Sequence, residues 1–468
     1  MQKKYSKNTI GEQNLKSLEN IVGKDNVLVL PEDCEKYSHD ETVGLSAFPD
    51  VVVKPGCAKE IQEIMYLANK EKIPVTPRGT GTGLSGGAIP KCGGIVLSLE
   101  RLNKIIEIDT ENMMAIVEPC VINADLGKEA NKYDLFYPPD PASLDSCSIG
   151  GNIAECAGGA RTLKYGTTKN YVTGLNAVIP TGEIITCGGK LVKNVVGYNL
   201  MDLILGSEGT LAIITQATLR LLPLPKERVI LLIPYKDIES AANSAFAMFR
   251  QKILPSAIEF AEKSAIEAAE IFLKRKLPYR EAEAQLFIEL DGEYKEQLEK
   301  EYNTIGDIAL STGAIDVIVS TGKLEQEKIW EARRCISDAL KEKYKLKVSE
   351  DVIVPRNKIP ALLKGIKEIE KKHSVTIISF GHIGDGNVHT NILSEIEDPQ
   401  WKKKCPLIIR ELFELVIKLG GTISAEHGIG LAKQPYINMA LDNTQIALMK
   451  NIKKVFDPNN ILNPGKIF

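Results

Sequence analysis

The apolar positions divide the chain into a strand-rich first half and a second half in which long helices alternate with strands. Residues 14–22 predict a short helix, followed by irregular polar chain to about residue 50. From Val51 the pattern is αβ: VVVKP reads as a strand, AKEIQEIMYLANKEK as an amphipathic helix, and IPVTPRG as a second strand that runs into glycine. Between Ile95 and about Leu222, runs such as GIVLSL, MMAIVEP, LNAVIPTGEIITCGG and LAIITQATLRLL predict strands punctuated by Gly and Pro. Pro223 and Pro225 mark a boundary. Beyond it, ESAANSAFAMFRQK and EKSAIEAAEIFLKRK read as helices between the strands AQLFIEL and AIDVIVST, and a further helix is expected over 403–419. That half predicts an antiparallel sheet covered by helices.

Composition narrows the function classes. The chain has 468 residues, 44% hydrophobic and 25% charged, enough for two to four globular domains. A net charge of −3 gives no electrostatic reason to expect nucleic acid or an anionic membrane as the main partner. The amino terminus lacks the apolar core of a signal peptide, and no run of apolar residues is long enough to span a bilayer, so the expected address is cytoplasmic. Nine scattered cysteines never form C-x-x-C; they read as free thiols, and an iron–sulfur cluster or zinc ribbon is disfavoured. Of five histidines, three (His382, His389 and His427) fall in one short window.

Three glycine clusters stand against strands in the first half. Pro77, Arg78, Gly79, Thr80, Gly81, Thr82, Gly83, Leu84, Ser85, Gly86 and Gly87 form the first, a loop whose glycines admit φ > 0 and close approach of a phosphate to main-chain N–H groups. Gly81, Gly83 and Gly86 satisfy G-x-G-x-x-G, but the segment that follows is too rich in Gly and Pro to open the helix a dinucleotide fold requires. The second cluster runs from Ser148 through Gly150, Gly151 and Asn152 to Gly158 and Gly159, and the third is Gly206, Ser207, Glu208, Gly209 and Thr210. Singly, each is more often a set of turns than a ligand loop; together they suit one extended ligand crossing several loops.

The order of PRGTGTGLSGG, SIGGNIAECAGG, KYGTT, KNVVGYNL and GSEGTLAIIT resembles the FAD-binding domain of the vanillyl-alcohol-oxidase superfamily. The similarity is greatest to the branch of glycolate oxidase flavin subunits, D-lactate dehydrogenases and D-2-hydroxyglutarate dehydrogenase, and runs from about residue 45 to the closing FDPNNILNPGKIF. The resemblance implies an α+β fold: a two-part FAD-binding domain, an antiparallel-sheet substrate (cap) domain with helices, and a C-terminal segment returning to the flavin. The expected division is an N-terminal helical extension over 1–45, the FAD-binding domain over 46–225 and the substrate domain over 226–468. The three clusters, with Tyr165, Gly166 and Asn463, would hold FAD. Cys156 stands where the pattern usually has Asn, and Ala212 where Gly is usual. Relatives that tether flavin commonly use a histidine in this domain; none lies between His39 and His373, so FAD is expected to bind non-covalently.

The histidine window reads SFGHIGDGNVHTNIL, and Asp385-Gly386 between apolar runs predicts a two-residue hairpin loop. That register places His382 opposite His389, near enough to share a metal ion, with Asn391 on the same face. A hydrogen-bonded histidine pair that stabilises a hairpin fits the same pattern. Further on, Glu426 and His427 stand between small residues. By the family resemblance His382, His389 and Glu426 would hold a divalent metal and His427 would be the general base. Zinc suits such a set, with manganese and iron also compatible.

Residues 324–344 read as one amphipathic helix with Arg333 inside its apolar stripe and Ser337 one turn on. A guanidinium on a buried face needs an anion: a substrate carboxylate, or an internal ion pair. The resemblance assigns Arg333 and Ser337 to the substrate carboxylate. A lysine that serves this purpose in some relatives falls on Ser349, which argues against a long dicarboxylate.

The expected activity is oxidation of a D-2-hydroxy acid to the 2-keto acid, D-lactate ahead of glycolate and D-2-hydroxyglutarate, with hydride passing to the flavin. A hydroxyl pKa near ~15 and a histidine near ~6.5 differ by roughly 9 units, about 12 kcal/mol, a gap a metal at the hydroxyl would narrow. With no cluster motif in the chain, an external acceptor is implied, by resemblance an electron-transferring flavoprotein or a separate iron–sulfur subunit. The competing class is a non-redox flavin transferase of the alkylglycerone-phosphate synthase type; a third is a flavoprotein scaffold without catalysis. Bleaching of the flavin by a hydroxy acid separates the first from both.

Overall fold

The computed structural model describes residues 10–468. They form two compact units: residues up to Ala157 with Thr167–Leu224 and Glu426–Phe468, and Gly158–Gly166 with Pro225–Ala425. One junction falls between Leu224 and Pro225, while residues 158–166 group with the second unit and the C-terminal segment from Glu426 returns to the first.

In the first unit, helix α1 (Glu12–Val22) packs on α2 (Ala58–Glu71), which buries Ile61, Ile64, Met65 and Ala68, one helical face at i, i+3, i+4 and i+7. Each such side chain contributes about 1.5–3 kcal/mol by leaving water, so a charge at Ile64 would undo this layer. Beneath them lies a four-stranded sheet of β1 (Val27–Leu28), β2 (Val51–Val53), β3 (Val75–Arg78) and β4 (Ile95–Ser98), in the order β1-β2-β4-β3. β2 and β3 both run parallel to β4, as the αβ pattern from Val51 requires. A second sheet is wholly antiparallel: β5 (Ile105–Asp109), β6 (Met114–Val117), β7 (Val172–Val178), β8 (Ile184–Gly188) and β9 (Ile213–Arg220), with β9 central between β6 and β7.

The second unit is built on one seven-stranded antiparallel sheet. Its strands are β10 (Glu227–Tyr235), β11 (Ala257–Glu262), β12 (Ala284–Gly292), β13 (Ile318–Ser320), β14 (Leu346–Ile353), β15 (Thr376–Gly381) and β16 (Asn387–Ser394), in the order β13-β10-β12-β11-β15-β16-β14. One face is covered by α3 (Lys263–Leu273), α4 (Lys323–Arg334) and α5 (Ile336–Lys343), whose Ala265, Ala269, Ile336 and Leu340 pack on Phe287, Ile378 and Phe380.

Two local expectations change. The helix expected over 324–344 breaks at Cys335, so Arg333 lies in the last turn of one helix and Ser337 in the first turn of the next. The hairpin register differs by two residues: Phe380, not His382, is the Cα partner of His389, and the chain leaves β15 at Gly381 before turning. The His382 carbonyl accepts both the Asp385 and Asn387 N–H groups, giving a longer loop than Asp-Gly alone. Gly386 (φ 102°) must be glycine, since a Cβ there would meet the Val354 carbonyl oxygen at 2.3 Å. A shift of two preserves side-chain parity, so both imidazoles still meet on one face.

Candidate active site

In the first unit the glycine clusters converge. Gly79 lies so close to Ser148 that a Cβ would come within 2.3 Å of its hydroxyl oxygen. Ser148 caps the helix Ile149–Glu155, its hydroxyl accepting the Gly151 N–H at 3.3 Å. Asn463, in the returning C-terminal segment, donates from Nδ2 to the carbonyls of Gly87 at 3.0 Å and Glu208 at 2.8 Å, tying the first cluster to the third. Glu208 in turn accepts the N–H groups of Ile429 and Gly430, and the Lys466 ammonium donates to Asn463 Oδ1 and the Ile89 carbonyl.

This arrangement fits a pyrophosphate. Among the described residues, no backbone N–H from Thr80 to Gly87 donates a hydrogen bond within the protein, and the buried hydroxyls of Ser85 and Ser207 have no hydrogen-bond partner. Gly81 and Gly86 (φ 78° and 83°) turn that backbone into a cradle. Arg78 is committed elsewhere: its guanidinium donates to the carbonyls of His39 and Lys36. Gly158, Gly159, Tyr165 and Gly166 belong to the second unit, where the Tyr165 hydroxyl donates to Asp291 at 2.9 Å. KNVVGYNL stays at the surface, with Val192, Val195, Val196 and Tyr198 all at least 90% exposed. Cys156 sits at φ 55°, a conformation Asn tolerates better than most residues, which accounts for the usual Asn at this place.

Like charges crowd this unit. Burial and the neighbouring Glu208 and Asp40 carboxylates push the Glu155 carboxyl well above the usual carboxylate range. Burial also raises Glu208, against the two backbone donors that favour its anion. Lys466, buried, is held down to about 8.

In the second unit a buried relay occupies the helix-covered face of the sheet. Glu259, on β11, takes His382 Nδ1 at 2.6 Å on one oxygen and Arg333 Nη2 at 2.5 Å on the other. Burial would raise this carboxyl, but His382 and Arg333 outweigh it and hold it below its ordinary range. With Nδ1 engaged, His382 presents Nε2, which lies 3.3 Å from His389 Nε2; the rings are perpendicular, 5.0 Å between centroids. Two ring nitrogens aimed at one another suit a shared cation, and a carboxylate behind the ligating histidine is the usual orienting partner. Asp351 is the Cα partner of His389 and stands 3.7 Å from its Nδ1, itself held by Asn387, Ser424 and the Ala425 N–H. Asn391 is fully buried and its Oδ1 has no hydrogen-bond partner among the described residues.

Arg333, 6% exposed, thus meets its anion inside the chain. Its guanidinium lies over the Phe380 ring at 4.9 Å, and its Nε has no hydrogen-bond partner among the described residues, so one edge of the fork remains to be used. Ser337 accepts the Lys347 ammonium at 2.9 Å, which leaves its hydroxyl proton to point elsewhere. Burial lowers Lys347 to about 8. Glu426 and His427 open the last stretch of the first unit, directly after Ala425.

Sequence reasoning did not single out Glu259 or Asp351. The available signal was a carboxylate inside strands that are apolar on both faces, AIEFAE and SEDVIV. A buried Glu in such a strand requires a cationic partner.

Comparison with known proteins agrees with this geometry. A family model described as FAD binding domain matches residues 49–188, and one described as FAD linked oxidases, C-terminal domain, matches 224–467. The glycolate oxidase subunit GlcD of Bacillus subtilis is 41% identical over 92% of this chain and 92% of its own length. The D-lactate dehydrogenase of Anaerostipes hadrus is 38% identical over 99% and 98%. The D-2-hydroxyglutarate dehydrogenase of Stutzerimonas stutzeri is 33% identical over 96% and 98%. Among solved structures, p-cresol methylhydroxylase superposes with a TM-score of 0.80 at 18% identity, over 97% of this chain and 96% of that one, a likeness of fold alone.

Proposed function

Since the chain belongs to the FAD-linked oxidase family and is an FAD-dependent oxidoreductase, we propose that it oxidises a small D-2-hydroxy acid, D-lactate first, to the 2-keto acid at the second unit's histidine cluster. One observation carries this reading: the Arg333–Glu259–His382 relay ends in two imidazole nitrogens 3.3 Å apart. A purely structural histidine pair has no use for a buried carboxylate that fixes one ring and a guanidinium with an edge left over.

Arg333, its plane set by Glu259 and Phe380, would take the substrate carboxylate through its remaining N–H groups, helped by the Ser337 hydroxyl. Asn391 would offer its amide oxygen as acceptor. His427 would receive the proton of the C2 hydroxyl. FAD, held by the first-unit loops and Asn463, supplies a two-electron acceptor when bound. A divalent metal, zinc by preference, would supply a Lewis acid that lowers the pKa of the hydroxyl. His382, His389 and Glu426 are the proposed ligands, and Asp351 joins them: Asp351, His389, Glu426 and His427 are donors compatible with one ion. Chain continuity supports including Glu426, since Ala425 is hydrogen-bonded to Asp351 and the next Cα follows within about 3.8 Å. The flavin would be reoxidised by an external protein, an electron-transferring flavoprotein ahead of an iron–sulfur subunit. Among the described residues no helix is long and apolar enough to cross a membrane.

The transferase alternative is less well supported. The solved alkyldihydroxyacetonephosphate synthase shares only 20% identity, whereas full-length relatives named for hydroxy acids share 33–41%.

The test is to remove metal with a chelator, verify that FAD stays bound, and add D-lactate anaerobically. Bleaching should stop and return with metal, and His389→Ala and Asp351→Ala should purify with less metal by elemental analysis. Full bleaching of metal-free protein overturns the metal-assisted reading.

A further inference from the structure

The same sheet face carries a second cavity, of about 540 Å³, within the range of small-molecule sites. Its floor is β10, β12 and β13, and its wall is the α4 face bearing Glu325, Lys328, Ile329 and Ala332, residues at helical spacing. Phe287 on that floor is the Cα partner of Glu259, so the cavity lies one strand over from the relay and does not share its lining.

Its chemistry is graded. Leu232, Phe287 and Ile329 make the interior apolar. Two buried polar atoms have no hydrogen-bond partner among the described residues: Gln285 Oε1, whose amide nitrogen is spent on the Pro278 carbonyl, and Ser320 Oγ. Both residues belong to the sheet floor. At the rim stand Arg275, paired with Glu331, and Lys276 and Lys328, which take part in no ion pair among the described residues; Glu325 is the single carboxylate among the lining residues. A buried acceptor left unsatisfied costs about 1–3 kcal/mol, which a donor from a ligand would recover.

We propose that this cavity binds an amphipathic carboxylic acid with a hydroxyl at its far end, separately from the histidine cluster. The carboxylate sits at Lys276 and Lys328, the chain crosses the apolar interior, and the hydroxyl donates to Gln285 Oε1 and accepts from Ser320.

Isothermal titration of the FAD-loaded protein with 8-hydroxyoctanoate, octanoate and 1-octanol tests this. Saturable binding is expected in that order of affinity, about tenfold weaker for octanoate, which lacks the hydroxyl, and about a hundredfold weaker for 1-octanol, which lacks the carboxylate. Lys328→Glu should weaken both acids about tenfold and leave octanol unchanged. Gln285→Leu should erase the advantage of the hydroxylated acid over octanoate, and saturating D-lactate should displace neither. Absence of saturable binding up to about 1 mM marks the cavity as water-filled. Indifference to both substitutions, or competition by D-lactate, overturns the proposal equally. Lys328 is a surface residue, so that arm is readable even if Gln285→Leu fails to fold.

Discussion

Each unit buries a pair of glutamates, and the two pairs are treated in opposite ways. In the first, burial raises both Glu155 and Glu208, and the Glu208 and Asp40 carboxylates push Glu155 up further. In the second, Glu259 and Glu289 are buried as deeply, yet both are held below the ordinary range. Glu289 accepts from Arg161 at 2.8 Å, from Arg228, and from Trp330 Nε1 at 2.9 Å. Burial alone therefore predicts nothing about charge; the partner decides. The first pair is met by backbone N–H groups, at Glu208, and by no side-chain cation at hydrogen-bond distance among the described residues, whereas the second uses its charges to fix side chains.

The sharpest way to break this contrast is Glu289→Ala, which strands two arginines and an indole N–H. A loss of about 3 kcal/mol is expected in denaturant unfolding; a loss under about 1 kcal/mol would show that solvent relaxes the arginines. Next comes Arg333→Lys, which keeps charge but loses the planar fork. We expect kcat/KM for D-lactate to fall about 10–100-fold, or about 1.4–2.7 kcal/mol, with normal flavin content. Loss of flavin or folding instead would make Arg333 a purely structural partner of Glu259.

Glu155→Gln should act in the opposite sense to Glu289→Ala, raising the melting temperature of the flavin-free protein by relieving like charge, about 1 kcal/mol or less. The smallest effect is in pH dependence. Glu155 and Glu208 have folded pKa values above their unfolded ones, so their contribution is full below about 4.5 and is lost as pH rises through the folded values. Glu289 is depressed, so its contribution is present above about 4.5 and is lost as pH falls. Melting of the flavin-free protein should thus drift downward in the first unit as pH rises, while the Glu289→Ala penalty in the second shrinks only in acid. Parallel drift in both would contradict the contrast.

The strand and helix pattern was legible because both halves of the chain obey simple periods: Val51 to Arg78 alternates in type, and residues beyond Pro225 read as helices laid on an antiparallel sheet. Glycine announced the tight loops of the first unit, since φ > 0 at Gly81 and Gly86 admits few other residues. The break at Cys335 was not legible, because its backbone stays helical (φ −75°, ψ −7°) and no Pro or Gly marks it. The hairpin register escaped for a related reason: Asp385-Gly386 does turn, but hydrogen bonds to the His382 carbonyl set where the turn closes. Glu259 and Asp351 were hidden because their roles are set by strands distant in sequence, His382 lying 123 residues from Glu259.

Asn463 has a consequence for how the protein is made. Its amide clasps loops 376 and 255 residues earlier in the chain. At a synthesis rate of about 5–20 residues per second, the Gly87 loop waits roughly 20–75 s on the ribosome before its clasp exists. The nascent first unit must therefore wait with that loop unclasped while the whole second unit emerges. Chaperone dependence and flavin supply during that interval should govern yield more than the stability of the finished fold.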